Sequence, residues 1–398
     1  MRTYFDKHLK NEQLFKKYPA FTVHRKGYHP ARTRRKLLGD SEFVPGRVVP
    51  FLFKPFDDRW LYWEPLHKLL NRPRPELMGY YIRSDPSGFK PVNGQLAIVA
   101  SQTPRRVGAA RPCVTSAVPG FHAVDPDAKV LPRIRPPGGL EGFGGGEEED
   151  YITNILPDWL EAARAAGVEG DPVAVGDVIF YSLIAIMNAR AWIEAIGTDN
   201  HDFPGVPLPS NPELLHRAAE VGKQLAYLFD PFSAVDGVTT GRIKPVLGRV
   251  AVPDRPRSRT LISGSTKRGG CYVEEGGGSI LWGDELGWRN VPLEVWEFSV
   301  GGFQVLPKWL GYRHHQRDGY TLSDLDFEAV THICRRIAAV LLLEPECERL
   351  YQAALASPLE TQQVEADPRR PRLYSPSEGR GPARRVADKR LEFGPESS

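Results

Sequence analysis

Residues 294–313 read EVWEFSVGGFQVLPKWLGYR and combine side chains that suit contact with nucleic acid. An amide and two cations, Gln304, Lys308 and Arg313, are interleaved with the rings of Phe303 and Trp309. Lys and Arg bind phosphates, and Gln and Arg hydrogen-bond base edges. Aromatic rings are core residues first, so a buried corner between a strand and a helix is the alternative. We expect the two rings to pack inward, and the amide and the cations to face DNA or a neighbouring domain.

Two other basic segments are candidates for the same surface. Arg105 and Arg106 follow a short apolar run and a proline, which predicts a turn after a strand. The segment RPRSRTLISGSTKRGG predicts a hairpin with small residues, and its cations are Arg255, Arg257, Arg259, Lys267 and Arg268. A hairpin with Ser, Thr, Arg and Lys at its tip fits a DNA groove. The alternative is an exposed hairpin that binds nothing.

No set of residues predicts catalysis or metal binding by this chain. Asp57 and Asp58 beside Arg59 are compatible with a metal site, but an ion pair or a turn cap is the favoured interpretation. Adjacent residues such as His314 and His315 do not converge on one ion without other ligands, so exposed loop histidines are favoured there. No serine has a plausible partner pattern of His and Asp, and we predict no nucleophilic triad.

Composition limits the classes of protein that fit. The chain has 398 residues, 41% of them hydrophobic, which suits two or three globular domains. Its net charge is only +3, so a nucleic-acid surface must be local. Four cysteines without Cys-x-x-Cys spacing exclude a zinc knuckle and agree with reduced cytosolic thiols. No apolar run reaches the ~18 residues of a membrane span and no signal peptide is visible, so we expect a cytoplasmic protein.

Several segments resemble, in the same order, the C-terminal part of type ISP restriction-modification enzymes. The segment beginning at Gly301 follows the pattern GG(F/Y)QVL-KWL-YR and precedes a Leu-Ser-Asp helix start. Further segments are similar to the family's YRPFDxRW, RPRxEvM, FxYiYaiLnS and DFPRIPlP, and they are residues 53–60, 71–78, 177–188 and 202–209. The resemblance covers roughly residues 45 to 350.

The resemblance implies a target-recognition (specificity) domain, which selects a DNA site by binding the duplex and reading base edges. In the family, other domains supply S-adenosylmethionine chemistry on adenine and ATP-driven translocation and cleavage, and such systems serve phage defence. This chain has no NPPY tetrapeptide and no Gly-rich cofactor loop after a first strand. We therefore expect no cofactor and no activity in this chain alone. The expected partners are double-stranded DNA and a separately encoded methyltransferase or helicase–nuclease subunit.

Two other functions stay open at this stage. One is a divergent or truncated site-specific adenine DNA methyltransferase, which binding of S-adenosylmethionine would distinguish. The other is an interaction module that docks a partner through its apolar helices, which the salt dependence of DNA binding would distinguish.

Resemblance and composition together predict an α+β protein, in which a β-rich target-recognition region packs with a helical region. The expected parts are a basic linker or arm (1–44), an N-terminal β-rich part (45–135), a flexible Gly-rich and acidic loop (136–150), a helical region (151–232), a C-terminal β-rich part with closing helices (233–358) and a disordered tail (359–398). The loop lacks the Gly-Lys-Ser/Thr ending of a phosphate loop. For the first part, phosphate contact and a plain linker are both open, and the resemblance favours the linker.

Periodicity and end signals predict the main elements. The expected strands are 47–53, 95–100, 113–118 and several in 242–300, the last one running through Trp296, Phe298 and Val300. The expected helices are 65–70, 75–81, 154–165, 178–195, 211–229, 322–344 and 345–356.

Overall fold

Most strands lie in residues 48–135 and 252–304, and the long helices lie between and after them, so the fold is α+β as predicted. The computed structural model describes residues 2–18, 21, 29–40, 42–64, 69–70, 74–85, 88–101, 111–124, 128–136, 151–196, 205–254, 271–274, 277–282, 285–314 and 322–361. The helices in these residues are α1 (Asn11–Lys17), α2 (Pro30–Asp40), α3 (Pro75–Met78), α4 (Pro157–Ala165), α5 (Pro172–Ile186), α6 (Arg190–Ala195), α7 (Pro212–Phe229), α8 (Pro245–Gly248), α9 (Leu293–Glu297), α10 (Val305–His314) and α11 (Asp324–Ala356). The strands are β1 (Val48–Lys54), β2 (Asp57–Tyr62), β3 (Ile82–Asp85), β4 (Gly88–Pro91), β5 (Ala97–Ser101), β6 (Cys113–Thr115), β7 (Val118–Pro119), β8 (Ala128–Pro132), β9 (Ile134–Arg135), β10 (Ile152–Thr153), β11 (Val252–Pro253), β12 (Cys271–Val273), β13 (Ser279–Trp282), β14 (Glu285–Arg289), β15 (Ser299–Val300) and β16 (Phe303–Gln304).

The strands form small sheets rather than one large sheet. In the sheet ordered β2-β1-β7, β1 is antiparallel to β2 and parallel to β7. A second antiparallel sheet has the order β6-β5-β8, and a third has the order β11-β14-β13-β12. The pairs β3–β4, β9–β10 and β15–β16 are separate two-stranded units. Sheets this small gain their stability from packing on helices.

One hydrophobic cluster joins the β-rich and helical parts, since it runs from Leu52 to Leu359. Its centre is the packing of α5 on α7, where Gly222 lies against the carbonyl oxygen of Tyr181. A Cβ at position 222 would overlap that oxygen, so only glycine allows this close approach. The Ser182 hydroxyl donates to the Leu215 carbonyl at 3.0 Å, which satisfies a buried polar group at the same contact. None of the described helices is long and apolar enough to cross a membrane.

Much of the expected linker or arm, residues 1–44, is folded. Helices α1 and α2 place Leu14 and Leu37 in a small core with Tyr4, Phe5 and Tyr62 of β2. All five side chains are less than 9% exposed, so the removal of their apolar surface from water stabilises this part of the chain as it does in an ordinary core.

The expected helix 178–195 is two helices, α5 and α6, and the first begins earlier than expected. Asp171 caps α5 by accepting hydrogen bonds from the backbone N–H groups of Val173 and Ala174 at 2.8 and 2.9 Å. This cap before Pro172 is a start signal that the apolar pattern alone does not show. The chain turns at residues 187–189 before α6.

The two expected closing helices, 322–344 and 345–356, are one helix, α11, which continues through Pro345. Proline lacks the N–H of a helical hydrogen bond, which is why a break was expected. Burial continues on the same side beyond it, at Cys347, Leu350, Tyr351 and Ala354. Packing on the core therefore outweighs the missing hydrogen bond. The start is as predicted: Ser323 and Asp326 form a capping box.

The expected strand through Trp296, Phe298 and Val300 is wrong over its first half. Residues 293–297 form α9, in which the backbone N–H groups of Val295 and Trp296 donate to the carbonyl of Pro292. Within residues 296–300, only Ser299–Val300 belongs to a β-strand. Short apolar runs do not separate strand from helix by periodicity alone. Residues 65–68 of one expected helix, the loop beyond Pro136 up to residue 150, and the tail from residue 362 lie outside the described residues.

Candidate nucleic-acid interface

Two glycines form the turn that brings Phe303 and Gln304 to the surface. Gly301 and Gly302 have φ values of 55° and 77° between the paired strands β15 and β16. Two consecutive residues with positive φ in a two-residue loop are typical of a type I′ hairpin turn. A Cβ at position 301 would lie 2.5 Å from Cβ of Val124, so this position has no room for a side chain. The hairpin is thereby fixed against the loop after β7.

Helix α10 follows this hairpin directly and has one buried and one exposed side. Trp309 is 2% exposed, and Val305, Leu306 and Leu310 are buried beside it. Gln304, which immediately precedes the helix, and Lys308, in its first turn, lie on the other side, and both side chains are exposed. The predicted inward packing of Trp309 is thus confirmed, as is the outward position of Gln304 and Lys308.

Phe303, which was also expected to pack inward, is only half-buried, and the ammonium groups of two lysines lie near its ring. The Lys54 ammonium is 4.0 Å from the centre of its ring, and the Lys308 ammonium is 5.4 Å away. Lys54 is only 7% exposed and also donates to the carbonyl of His122. A ring under a cation attracts it electrostatically, so Phe303 restrains Lys308 without neutralising its charge.

Arg313 is held inside the protein by three contacts. Its Nη1 lies 3.0 Å from Oδ1 of Asp57, its Nε lies 3.6 Å from Oδ1 of Asp326, and its guanidinium stacks on Trp309 at 3.3 Å from the ring centre. The Arg313 side chain is 15% exposed, whereas that of Asp57 is fully buried. The predicted contact of Arg313 with DNA stays untested, and these contacts give the residue a supporting role in the scaffold.

Asp57 forms ion pairs, which was the favoured interpretation of the acidic motif. Besides Arg313 it accepts hydrogen bonds from Arg59, whose Nη2 lies 2.9 Å from Oδ2. The preceding residue, Phe56, has a φ of 60° in the turn between β1 and β2, and its ring is buried 5.9 Å from that of Phe229. Packing of this ring holds the strained turn that aims Asp57 inward. In the described part of the chain no group of His, Cys, Asp and Glu is arranged to hold a metal ion.

The segments 53–60 and 301–313 form one continuous surface. The ring of Tyr312 meets that of Phe53 edge-on at 5.0 Å, and the Arg59 guanidinium lies 3.9 Å from the centre of the Phe53 ring. Burial raises the pKa of Tyr312 above its ordinary value, and the negative charge of Asp57 adds to the shift. We name this surface, formed by Phe53, Arg59, Phe303, Gln304, Lys308 and Tyr312, the β1–α10 surface. The sequence showed its two halves as separate motifs but gave no sign that they touch.

The other candidate cations lie outside the described residues: Arg105, Arg106, Arg255, Arg257, Arg259, Lys267 and Arg268. The strands that flank the predicted hairpin, β11 and β12, lie at opposite edges of the sheet β11-β14-β13-β12.

Comparison with known proteins identifies the family and the fold. The family model described as Type ISP C-terminal specificity domain matches residues 7–336. The fold is similar to that in the structure of a nuclease-deletion mutant of the Type ISP restriction-modification enzyme LlaGI in complex with a DNA substrate mimic, with 16% identity and a TM-score of 0.44 over 78% of this chain and 21% of that one. It is also similar to the DrdV–DNA complex, with 16% identity and a TM-score of 0.50 over 88% of this chain and 33% of that one. The ATP-dependent Type ISP restriction-modification enzyme LlaBIII bound to DNA matches with 14% identity and a TM-score of 0.48 over 90% of this chain and 21% of that one.

This chain therefore spans between about a fifth and a third of the length of these solved chains. No curated protein matches it in sequence. The family match covers well over half of the chain and includes every residue of the β1–α10 surface. The chain belongs to the Type ISP C-terminal specificity domain family.

Proposed function

We propose that this chain recognises a specific DNA sequence, as the specificity part of a type ISP-like restriction-modification or adenine-specific DNA methyltransferase system. The observation that carries the proposal is the β1–α10 surface, which presents Gln304 and Lys308 within the residues that match the family. The DNA-bound relative DrdV supports DNA as the ligand.

Gln304 and Lys308 suit two different contacts with duplex DNA. The Gln amide offers a donor and an acceptor together, which is the pattern that pairs with the N6 and N7 of adenine in the major groove. A lysine ammonium is a point charge that suits a phosphate. Phosphate contacts set the position of the protein on the duplex, and base contacts select the sequence. We therefore assign reading to Gln304 and positioning to Lys308.

Buried packing and an ion pair support the scaffold under these two residues, as readout requires. Trp309 is buried below them, and the Asp57–Arg313 pair ties α10 to the turn of the β1–β2 hairpin. Base discrimination depends on side chains held within about 0.5 Å of their productive positions. Of the amide and the two cations in this segment, we propose Gln304 and Lys308 as DNA contacts and Arg313 as their support.

Bond-making chemistry belongs, in this proposal, to polypeptide outside these 398 residues. The sequence has no NPPY tetrapeptide, and its Asn211-Pro212 pair starts α7, where Asn211 Oδ1 accepts from the Leu214 N–H at 3.1 Å. S-adenosylmethionine and ATP would bind to those other parts. Methylation, and restriction of phage DNA, would require them.

The test is selection from a library of duplexes that contain a random stretch. The purified chain should enrich a defined sequence over several rounds at physiological salt, and it should transfer no labelled methyl group from S-adenosylmethionine to the selected duplex. Recovery of duplexes without any common sequence would contradict sequence recognition. Methyl transfer by the chain alone would instead favour a divergent methyltransferase.

A further inference from the structure

The first 44 residues carry a net positive charge that lies outside the β1–α10 surface. They contain eleven Lys and Arg and four Asp and Glu, a net charge of +7, while the whole chain carries +3. The rest of the chain is therefore slightly acidic in sum. A local positive excess of this size attracts polyanions to one part of a protein that is otherwise nearly neutral.

Helix α2 separates a structural arginine from a row of exposed cations. Arg34 is 4% exposed and binds the first turn of the chain, donating to the carbonyls of Tyr4 at 2.8 Å, Asp6 at 2.6 Å and Leu9 at 2.9 Å. It also donates to Oδ1 of Asn11 at 2.7 Å. These four bonds fix α2 against α1 and the 3₁₀ turn before it.

The opposite side of α2 carries Arg32, Arg35 and Lys36, all of them exposed. Residues three and four apart lie on one side of a helix, so these three cations form a single row, which we call the α2 row. The helix buries Thr33 and Leu37 on its other side. Among the side chains that the structure describes, which do not include that of Asp40, no carboxylate forms an ion pair with any of the three cations of this row.

We propose that the α2 row is a second DNA-binding surface, which holds the phosphate backbone of duplex DNA without reading its sequence. The argument is charge complementarity: three cations in a row, on a helix anchored by a buried arginine, suit a linear polyanion. A rigid anchor matters because a helix that must first become ordered would lose conformational entropy on binding. This surface is separate from the β1–α10 surface and would add affinity for every duplex equally. It rests on the proposed function only in taking DNA as the ligand.

The test measures binding of the full chain to a duplex of arbitrary sequence at several salt concentrations. The variant replaces Arg32, Arg35 and Lys36 with Gln, which keeps a good helix former at each position. Removing one phosphate contact lowers the slope of log K against log salt by about 0.9, so we expect the slope to fall by about two to three units. The matched control replaces three exposed cations on other parts of the chain with Gln, namely Arg164, Lys223 and Arg242. Its slope of log K against log salt should equal that of the unmodified chain.

Equal effects of the two triple variants would overturn the proposal, because net charge alone would then explain binding. An unchanged slope in the α2 variant would also overturn it and would leave an acidic protein surface as the partner of the row. If the triple variant melts at a lower temperature, the single charge reversal Arg35→Glu replaces it as the test, since it leaves the buried side of α2 intact. This variant must still lower the slope of log K against log salt. Absence of sequence enrichment in the library selection would count against the proposed function, not against this surface.

Discussion

Asp57 and Arg313 lie 256 positions apart in the sequence and form an ion pair at 3.0 Å. The contact joins the β1–β2 hairpin to α10, the two elements that build the β1–α10 surface. Asp57 is fully buried and shared between Arg313 and Arg59, so its charge is compensated on both oxygens. Removal of one arginine leaves that buried charge only partly compensated.

A double-mutant cycle on Asp57→Asn and Arg313→Gln tests this pair. Each single variant should lower the free energy of unfolding by about 2–4 kcal/mol, because it leaves the remaining charge of a buried pair only partly compensated. The double variant should cost less than the sum of the singles by about 1–3 kcal/mol in chemical denaturation. Arg190→Gln breaks an exposed pair with Glu194 and should change stability by less than about 0.5 kcal/mol. Strictly additive single effects would show that Asp57 and Arg313 do not act together.

The two sides of α10 should respond differently to truncation. Trp309→Ala removes a ring that is 2% exposed and should cost about 3–5 kcal/mol of unfolding free energy. Lys308→Ala changes a residue on the outer side and should stay within about 0.5 kcal/mol. Trp309→Phe is the control, since it keeps an aromatic ring beneath Arg313 and should cost less than the Ala variant. A harmless Trp309→Ala together with a destabilising Lys308→Ala would mean that the two sides are assigned the wrong way round.

The cations of the segment 255–268 remain predicted DNA contacts. The triple variant Arg257→Ala, Arg259→Ala and Lys267→Ala should lower the slope of log K against log salt by about 0.9 for each phosphate contact that it removes. Stability should hardly change, which thermal melting checks. Unchanged affinity and slope in this variant would remove the segment from the interface.

Acid should weaken the contact between α7 and α11 at Glu346. Hydrogen bonds from Arg349, and then from Arg217, lower the pKa of Glu346 to about 2. Because the pKa of Glu346 is lower in the folded state than in the unfolded state, its ionised form stabilises the fold at pH values above the ordinary Glu pKa. This stabilisation is lost as the pH falls from the ordinary Glu pKa towards 2. Arg217 and Arg349 are about half exposed, so the decrease should be about 1 kcal/mol or less. The free energy of unfolding should be measured from mildly acidic pH to below the ordinary Glu pKa. It should fall less steeply with decreasing pH in Glu346→Gln than in the unmodified chain. An identical pH dependence in the two proteins would contradict this contribution of Glu346.

Local signals in the sequence were enough for several elements, and the fold class was predicted from composition together with the family resemblance. The cap at Asn211 followed by Pro212 predicted the start of α7, and the segment after Leu322 predicted the start of α11. The errors arose where packing overrides local preference, as at Pro345, which stays inside α11. The strand expected at Trp296 failed because a short apolar run fits either state.

The candidate site was predictable one segment at a time. Residue type and spacing indicated that Trp309 packs inward and that Gln304 and Lys308 face outward. What the sequence could not show is that Phe53 and Tyr312 belong to the same surface, because contacts between distant segments depend on the tertiary fold. The supporting role of Arg313 was missed for the same reason: its partner Asp57 lies in another motif.

The most direct test of the central claim compares the sequence preference of Gln304→Ala and Lys308→Ala with that of the unmodified chain. Binding is measured to the duplex selected from the library and to a set with each base pair replaced in turn. Gln304→Ala should lose discrimination of about 1–3 kcal/mol at one position and keep the others, because it removes one base contact. Lys308→Ala should weaken binding to all duplexes alike and lower the salt slope by about one unit. If Gln304→Ala retains the full preference at every position, the β1–α10 surface does not read the sequence of the DNA.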